Sequence, residues 1–311
     1  MAQVSMQQVK ELRERTQAGL SDCKSALQEA EGDMEKAVEI ILKKGLAKSA
    51  KRAGKVASEG VVAAKVAADG KSAVLVEVNI QTDFAARNPE FVSFVDQVLQ
   101  VAEKAATGAD LGAQPSPAGG TVEDQRQALV GKLGENITVR RWERLAVGAA
   151  GKVTAYVHMG GKVGVLLAVS TKDDATAGLP EVAEFAENTA MQAAAMSPLY
   201  LDASAVPAEA VAKQSEIFDA QLAEEGKPEK ARPKIVEGKL AKWKKEICLL
   251  EQQSVIESDK TVGAIRAALS AAVESEVKVD GFVRFERGEG IEKPQGPDFA
   301  DEVAQMAKGE S

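Results

Sequence analysis

Cysteine and histidine are both scarce in this sequence of 311 residues. It has two cysteines, Cys23 and Cys248, and one histidine, His158. Two cysteines so far apart argue against a disulfide framework, and so few soft ligands argue against a structural zinc site. A hydrolase triad would have to use His158 as its base, yet no Gly-x-Ser-x-Gly motif supplies a nucleophile for it.

Aromatic residues and positive charge are also in short supply. Phe, Trp and Tyr make up 4% of the residues, so Val, Leu, Ile and Ala must build most of the core. The net charge of −8 argues against a dedicated nucleic-acid binder. Apolar runs such as 163–169 are far shorter than the ~20 residues of a membrane span, and no secretory signal is seen. We therefore expect a reduced, cytoplasmic protein.

Motifs for nucleotide or cofactor binding are missing as well. The chain has neither a Gly-x-x-x-x-Gly-Lys-[Ser/Thr] loop nor a glycine-rich dinucleotide turn after a strand. The acidic pair Asp173-Asp174 follows a strand in a polar segment, where a solvated turn is the commoner interpretation. Cys23 falls in the first turn of a helix, but a small buried residue is again the commoner case. We expect no catalytic residue, no cofactor and no metal.

Helical and strand patterns follow one another in an order that predicts an α+β fold. Residues 1–55 indicate a three-helix module and its linker, with Ser21 capping the second helix and Gly45 ending the third. Helices are expected to start at Asn88-Pro89 and at Thr121. The order hairpin, helix, helix, strand occurs twice, which predicts two similar three-stranded antiparallel subdomains, each covered by helices on one face.

These patterns predict four further segments after the helical module and linker at 1–55. The N-terminal core subdomain is expected at 56–150, and the C-terminal core subdomain at 151–203 and 254–292. A helical hairpin with coiled-coil character is expected as an insertion at 204–253, with an ordinary layer of the domain as the alternative. Residues 293–311 are expected to form a C-terminal module helix.

A basic stretch at residues 43–55 joins the helical module to the first strands. It contains six Lys and Arg residues and no acidic residue. A solvated linker helix is the commoner interpretation of such a run. The alternative is a docking surface for an acidic partner or for RNA.

One connection combines an aromatic side chain with charge. It runs from the strand ending at Ile80 to the helix starting at Pro89 and reads Gln81-Thr82-Asp83-Phe84-Ala85-Ala86-Arg87-Asn88. In one interpretation Phe84 folds back onto the local core and Asp83 caps the turn. In the other, Asp83 and Phe84 protrude as a wedge, because an exposed aromatic side chain lowers solubility and is usually kept for binding.

Several separated motifs carry a family resemblance. They are residues 9–16, Gly19-Leu20-Ser21-Asp22-Cys23-Lys24 with Ala26-Leu27, Glu77-Val78-Asn79, Thr82-Asp83-Phe84, Gly134-Glu135-Asn136-Ile137, Gly164-Val165-Leu166 and residues 281–285 with Gly288-Glu289-Gly290. Together and in this order they resemble the elongation factor Ts family, the bacterial nucleotide-exchange factors for elongation factor Tu. The resemblance covers essentially the whole chain. It implies a ubiquitin-associated-like (UBA-like) helical module, two core α+β subdomains, a coiled-coil insertion and a C-terminal module.

The resemblance also implies a partner and a set of contact residues. The segment Thr82, Asp83, Phe84 and Ala85 would intrude into the GTPase domain of GDP-bound elongation factor Tu and loosen its Mg²⁺ and phosphate contacts. His158 would lie on a hairpin that faces the partner. The other implied contacts with the GTPase domain are Arg13, Leu20 and Ser21 of the helical module and Phe299 and Val303 of the C-terminal helix.

Other classes of function stay open at this point. A UBA-like adaptor would bind a partner without releasing nucleotide. An RNA-associated protein would use the basic stretch, although that stretch lacks interleaved aromatic residues for base stacking. An enzyme is disfavoured by the single histidine and the missing motifs. The insertion at 204–253 allows either a homodimer or a second contact with the partner; no membrane and no direct nucleic-acid contact is expected.

Overall fold

The computed structural model describes residues 4–16, 18–148 and 150–292, and it begins with a bundle of three helices. These are α1 (Met6–Thr16), α2 (Leu20–Glu29) and α3 (Met34–Arg52). Small and aliphatic side chains fill the space between them. The buried members of this core are Val9, Leu12, Cys23, Ala26, Leu27, Ala30 and Ala37.

Two details of this bundle differ from the sequence prediction. Ser21 does not cap α2: Gly19 takes the N-cap position, and its carbonyl accepts the first helical bond from Cys23 N at 2.9 Å. Gly45 does not end α3, which continues to Arg52. The backbone of Gly45 meets that of Gly131 in the next subdomain, where an added Cβ would lie only 3.1 Å from Gly45 Cα. This close packing offsets the low helix propensity of glycine.

The first sheet consists of β1 (Glu59–Val66), β2 (Ser72–Ile80) and β3 (Ile137–Ala146), in the order β1-β2-β3 and antiparallel throughout. The helices α4 (Asp83–Ala86), α5 (Pro89–Lys104) and α6 (Val122–Leu133) connect β2 to β3. The expected caps are confirmed. Asn88 Oδ1 accepts from Glu90 N at 2.9 Å, and Thr121 forms a capping box with Asp124.

The second sheet repeats this plan. It consists of β4 (Gly151–His158), β5 (Val163–Ser170) and β6 (Lys278–Glu286), again antiparallel in the order β4-β5-β6. The helices α7 (Asp174–Ala177), α8 (Pro180–Met196) and α11 (Val262–Ala272) lie between β5 and β6. Side chains of α8 and α11 join those of β5 and β6 in one apolar cluster, so helices cover one face of this sheet too.

A pair of helices interrupts the second repeat. They are α9 (Ala208–Glu224) and α10 (Arg232–Ile247), joined through a 3₁₀ turn at Glu229–Ala231, and a second 3₁₀ turn follows at Leu249–Glu251. Gly226, with a φ of +73°, follows the C-terminal end of α9, where its freedom to adopt a positive φ lets the chain leave the helix. An ion pair of 3.4 Å between Arg232 and Asp219 joins the two helices.

The two sheets pack against each other through the faces that the helices leave open. Val62 and Leu75 of the first sheet and Leu166 of the second belong to one buried cluster with Val153, Ala168 and Phe285. Gly164 lies in this interface, where a Cβ would approach Val62 Cγ1 to 2.6 Å. Only a residue without a side chain lets the two sheets come this close.

The predicted α+β class, with a three-helix module, two three-stranded antiparallel sheets and a helical insertion, is therefore confirmed. The expected C-terminal helix at 293–311, with Phe299 and Val303, lies outside the described residues. Within the described ranges, no helix combines the length and the apolar character that crossing a membrane requires.

Candidate functional site

The loop after β2 is a short, well-anchored turn. Eight of the nine residues of β2 are buried, and the chain leaves the sheet directly after Ile80. Thr82 then caps α4, its hydroxyl accepting from Ala85 N at 3.3 Å. The carboxylate of Glu135 accepts two hydrogen bonds from Thr82, from the backbone N at 3.0 Å and from Oγ1 at 2.7 Å. These bonds give the turn one defined conformation.

Phe84 points into solvent from this anchored turn. Phe84 is 83% exposed, the highest fraction among the exposed large hydrophobic residues in the described part of the chain. Ala85 and Ala86 face the other way and pack against the core of the first subdomain. The turn therefore packs its half-buried alanines against the core and presents its phenylalanine to solvent, which agrees with the wedge interpretation. The alternative, in which Phe84 folds onto the local core and Asp83 caps the turn, is wrong, because Thr82 provides the cap.

Asp83 lies beside Phe84 with its carboxylate partly exposed. Its Oδ2 is 3.4 Å from Nη2 of Arg87, one helical turn further on. An exposed pair of this length contributes little stability, since water screens both charges. The carboxylate of Asp83 is therefore available to another molecule, and the same turn presents an apolar and an acidic group side by side.

The other residues implied by the resemblance lie on separate elements. Arg13 is exposed on α1, while Leu20 and Ser21 are exposed in the first turn of α2. Met6, which the sequence prediction did not include, is also exposed on α1, at 64%. The helical module thus carries an accessible surface of mixed character.

His158 ends β4 at the hairpin of the second sheet and is exposed. Its Nδ1 lies 2.9 Å from the hydroxyl of Tyr156, and the two rings stack with centroids 5.8 Å apart. The hairpin also exposes Val157 and Met159, which sequence reasoning missed. A signal existed in the sequence: apolar residues next to the Gly160-Gly161 turn are too near a hairpin tip to reach the core.

Glu135 is a further residue that the sequence prediction did not assign. It belongs to the motif Gly134-Glu135-Asn136-Ile137, whose individual residues have no role assigned from the sequence. The next residue of that motif is also tied to the loop, because Asn136 N donates to Oε1 of Gln81 at 2.8 Å. Two motifs far apart in sequence therefore form one structural unit, which only long-range pairing between β2 and β3 reveals.

The remaining candidates show ordinary structural roles. Cys23 and Cys248 are buried; burial raises the pKa of both thiols, that of Cys248 to about 11. Asp173 caps α7 and Asp174 pairs with Lys71. In the basic stretch, Lys43 and Lys44 pair with glutamates of the helical module. The described ranges contain no group of three or more His, Cys, Asp or Glu side chains placed to hold a metal ion.

Comparison with known proteins assigns the fold and its exposed loop to a family. The model of the family described as elongation factor TS matches residues 81–289, more than half of the chain. A protein named elongation factor Ts from a Nitratiruptor species is 46% identical over 307 residues, with 98% of this chain and 99% of the relative covered. Another of that name, from Clostridium botulinum, is 44% identical over 305 residues, with 97% and 99% covered. The chain is a translation elongation factor. Within that class, it belongs to the elongation factor Ts family.

Proposed function

We propose that this chain is a guanine-nucleotide exchange factor for elongation factor Tu. It binds the GDP-bound GTPase and speeds the release of GDP, so that GTP can take its place. The observation that carries the proposal is the exposure of Phe84 on an anchored turn, since an aromatic side chain held in water by a rigid loop is suited to insertion into a partner.

The four residues of the turn have complementary tasks in this mechanism. Phe84 enters the GTPase domain and displaces apolar contacts, while the carboxylate of Asp83 disturbs the groups that hold Mg²⁺ and the phosphates. Thr82 and Ala85 keep the turn in the conformation that presents both side chains. The nucleotide and the Mg²⁺ ion belong to the partner; the chain itself works without a catalytic residue or a cofactor.

Exchange by this route rests on thermodynamic coupling. The factor and the nucleotide each weaken the binding of the other by the same free energy. An acceleration of GDP release of about 10⁴-fold needs a barrier lowered by roughly 5–6 kcal/mol. Burial of one phenylalanine supplies only about 1.5–3 kcal/mol. The interface must therefore extend beyond Phe84.

We propose three further contact regions that share this task. The helical module contributes Arg13, Leu20 and Ser21, and the hairpin of the second sheet contributes His158. The C-terminal segment contributes Phe299 and Val303. The protein acts in the cytoplasm, where translation elongation takes place, without contacting a membrane or nucleic acid directly.

Release of a fluorescent GDP analogue from elongation factor Tu tests the proposal. The unsubstituted chain should accelerate release, and Asp83→Asn should be slower at the same concentration because the amide lacks the charge that disturbs the Mg²⁺ site. Asp96→Asn is the matched control, since Asp96 is exposed on α5 and lies outside the turn. Binding measured by calorimetry without any acceleration of release would contradict exchange and favour the adaptor interpretation.

A further inference from the structure

A wholly buried carboxylate lies on the strand that leads into the exposed loop. Glu77 of β2 has no exposed side-chain surface and is three residues from the strand end at Ile80. A buried charge is costly unless it is paired and hydrogen-bonded. Glu77 lies in Glu77-Val78-Asn79, a motif that the exchange mechanism does not use.

Two arginines of the neighbouring strand converge on this carboxylate. The pairing of β2 with β3 shifts register after Glu77: Glu77 pairs with Arg141 and Val78 with Val139, which leaves Arg140 as an extra residue in a bulge. Arg140 Nη1 donates to Oε1 at 3.0 Å, and Arg141 Nε donates to Oε2 at 2.6 Å. Adjacent residues of a regular strand point to opposite faces, so the bulge is what brings both guanidinium groups to one carboxylate. Asn79 Nδ2 adds a third donor at 3.0 Å.

The fourth donor comes from the second subdomain. Gly288 N, in the turn after β6, donates to Oε1 of Glu77 at 2.7 Å, across 211 positions of sequence. Gly288 has a φ of +72°, and a Cβ there would lie 2.4 Å from the carbonyl oxygen of Ser58. A side chain at this position would therefore push the turn away from Glu77.

The arginines that bind Glu77 also hold the turn of the second subdomain. Arg141 Nη2 donates to Glu286 O at 3.1 Å and pairs with Glu289 at 3.1 Å, while its guanidinium carbon lies 4.3 Å above the ring of Phe285. Arg140 also donates to the carbonyl of Glu289. Two adjacent arginines of the first sheet thus bind the turn at residues 286–290.

This turn also touches the hairpin that carries His158. Arg287 N donates to Lys162 O at 2.9 Å, and Val163, which pairs with His158 in the β4–β5 register, faces Glu286 in the β5–β6 register. A continuous set of contacts therefore runs from the strand before Phe84, through Glu77 and the turn, to the hairpin tip.

We propose that Glu77 is a positioning residue that fixes the exposed loop at residues 82–86 relative to the hairpin tip at residues 157–159, so that one partner meets both elements at once. This inference rests on the proposed exchange function. Two docking elements on a rigid frame bind with less loss of freedom than two elements on a loose one. Glu77 touches neither the nucleotide nor the partner; it acts through the arginines and Gly288.

Distances between spin labels test the positioning directly. Labels at Lys104→Cys on α5 and Glu184→Cys on α8 report on the two subdomains, and both residues are exposed. Cys23 and Cys248 are buried, which limits labelling of the native thiols. In the Glu77→Gln variant, which keeps the shape but loses the charge, we expect a broader distance distribution than in the unsubstituted chain. Glu123→Gln is the control, because Glu123 pairs with Arg126 inside α6 and joins no subdomains.

Exchange kinetics give the second measurement. Loosened docking elements must be brought into place by the partner, so Glu77→Gln should raise the half-maximal concentration of the factor about tenfold and leave the maximal rate of GDP release within about twofold. If circular dichroism shows that the variant is folded, a role in folding alone would not raise the half-maximal concentration while leaving the maximal rate nearly unchanged. If Glu77→Gln does not fold, Arg141→Gln makes the same test, because it leaves three donors on Glu77.

The outcomes separate the two proposals. Broadened distances together with a raised half-maximal concentration support the positioning role. A distance distribution of unchanged width overturns it, and so does a broadened one with an unchanged half-maximal concentration. If the unsubstituted chain releases no GDP, the proposed function fails, and the distances alone decide whether Glu77 holds the subdomains together.

Discussion

Replacing Phe84 with alanine separates the proposed function of the loop from its stability. The side chain of Phe84 is largely surrounded by water, and the core contacts of the turn come from Ala85 and Ala86. The cap by Thr82 and its bonds to Glu135 do not involve Phe84. Phe84→Ala should therefore change the free energy of unfolding by no more than about 0.5 kcal/mol, as is usual for an exposed position.

The expected effect on exchange is much larger. A side chain that is 83% exposed in the free protein has nearly all of its apolar surface left to bury in a partner. Full burial of a phenylalanine contributes about 1.5–3 kcal/mol. At 1.36 kcal/mol for each factor of ten in rate, the substitution should slow GDP release about 10- to 150-fold. Some acceleration should remain, because the other contact regions are intact.

Stopped-flow release of fluorescent GDP from elongation factor Tu, at several factor concentrations, measures this effect. Leu199→Ala is the control, because Leu199 is also apolar and 67% exposed but lies outside the proposed contact regions. It should leave the release rate unchanged. Equal rates for Phe84→Ala and the unsubstituted chain would refute the wedge. A large fall in melting temperature would instead show that Phe84 stabilises the turn.

Three further predictions follow from the packing and the charges. The valine side chain in Gly131→Val should clash with Gly45 and lower the free energy of unfolding by about 1–3 kcal/mol through overpacking. Because the clash displaces the helical module, calorimetry should show weaker association with elongation factor Tu. An unchanged affinity would contradict a docked helical module. Burial raises the pKa of Glu77, but hydrogen bonds from Gly288, Asn79, Arg141 and Arg140 outweigh it and hold the pKa below the ordinary 4.5. The stability that Glu77 contributes is therefore complete above pH 4.5 and is lost as the pH falls through the lowered pKa. The free energy of unfolding of Glu77→Gln, measured with denaturant, should depend less on pH in that range than that of the unsubstituted chain. Parallel plots of this free energy against pH for the two proteins would contradict the prediction. With a pKa of about 11, only about one in a thousand Cys248 thiols is ionised at pH 8. A thiol reagent should therefore modify Cys248 only after denaturant is added. Rapid reaction of Cys248 in the native protein would refute its burial.

Local sequence signals predicted most of the secondary structure. Asn88 and Thr121 cap their helices through their own side chains, so their effect depends on the next three residues only. The predictions at Ser21 and Gly45 were wrong for two different reasons, one local and one long-range. Gly19 already supplied the start of α2, and contact with Gly131 of α6 let α3 continue through Gly45. A propensity of about 1 kcal/mol is easily outweighed by packing between elements that are distant in sequence.

The exposed loop was located correctly in the sequence, but its conformation was not determined there. Phe84 stood out because an aromatic residue next to a charge is unusual in a strand-to-helix connection. Its outward direction is seen only in the fold, where Ala85 and Ala86 pack against the core and Glu135 binds Thr82 from 53 positions away. The contact roles of Thr82, Asp83, Phe84 and Ala85, and those of Arg13, Leu20, Ser21, His158, Phe299 and Val303, stay predictions for the experiments above.

The amino-acid sequence alone determined the class of fold, the two repeats and the family, because periodicity, caps and ordered motifs are properties of neighbouring residues. Only the tertiary structure decided how the repeats are joined. The burial of Glu77 among donors from β3 and from the turn at 286–290 requires residues that are 63 to 211 positions apart to meet. No local pattern encodes such a meeting, since it depends on how two sheets pack face to face.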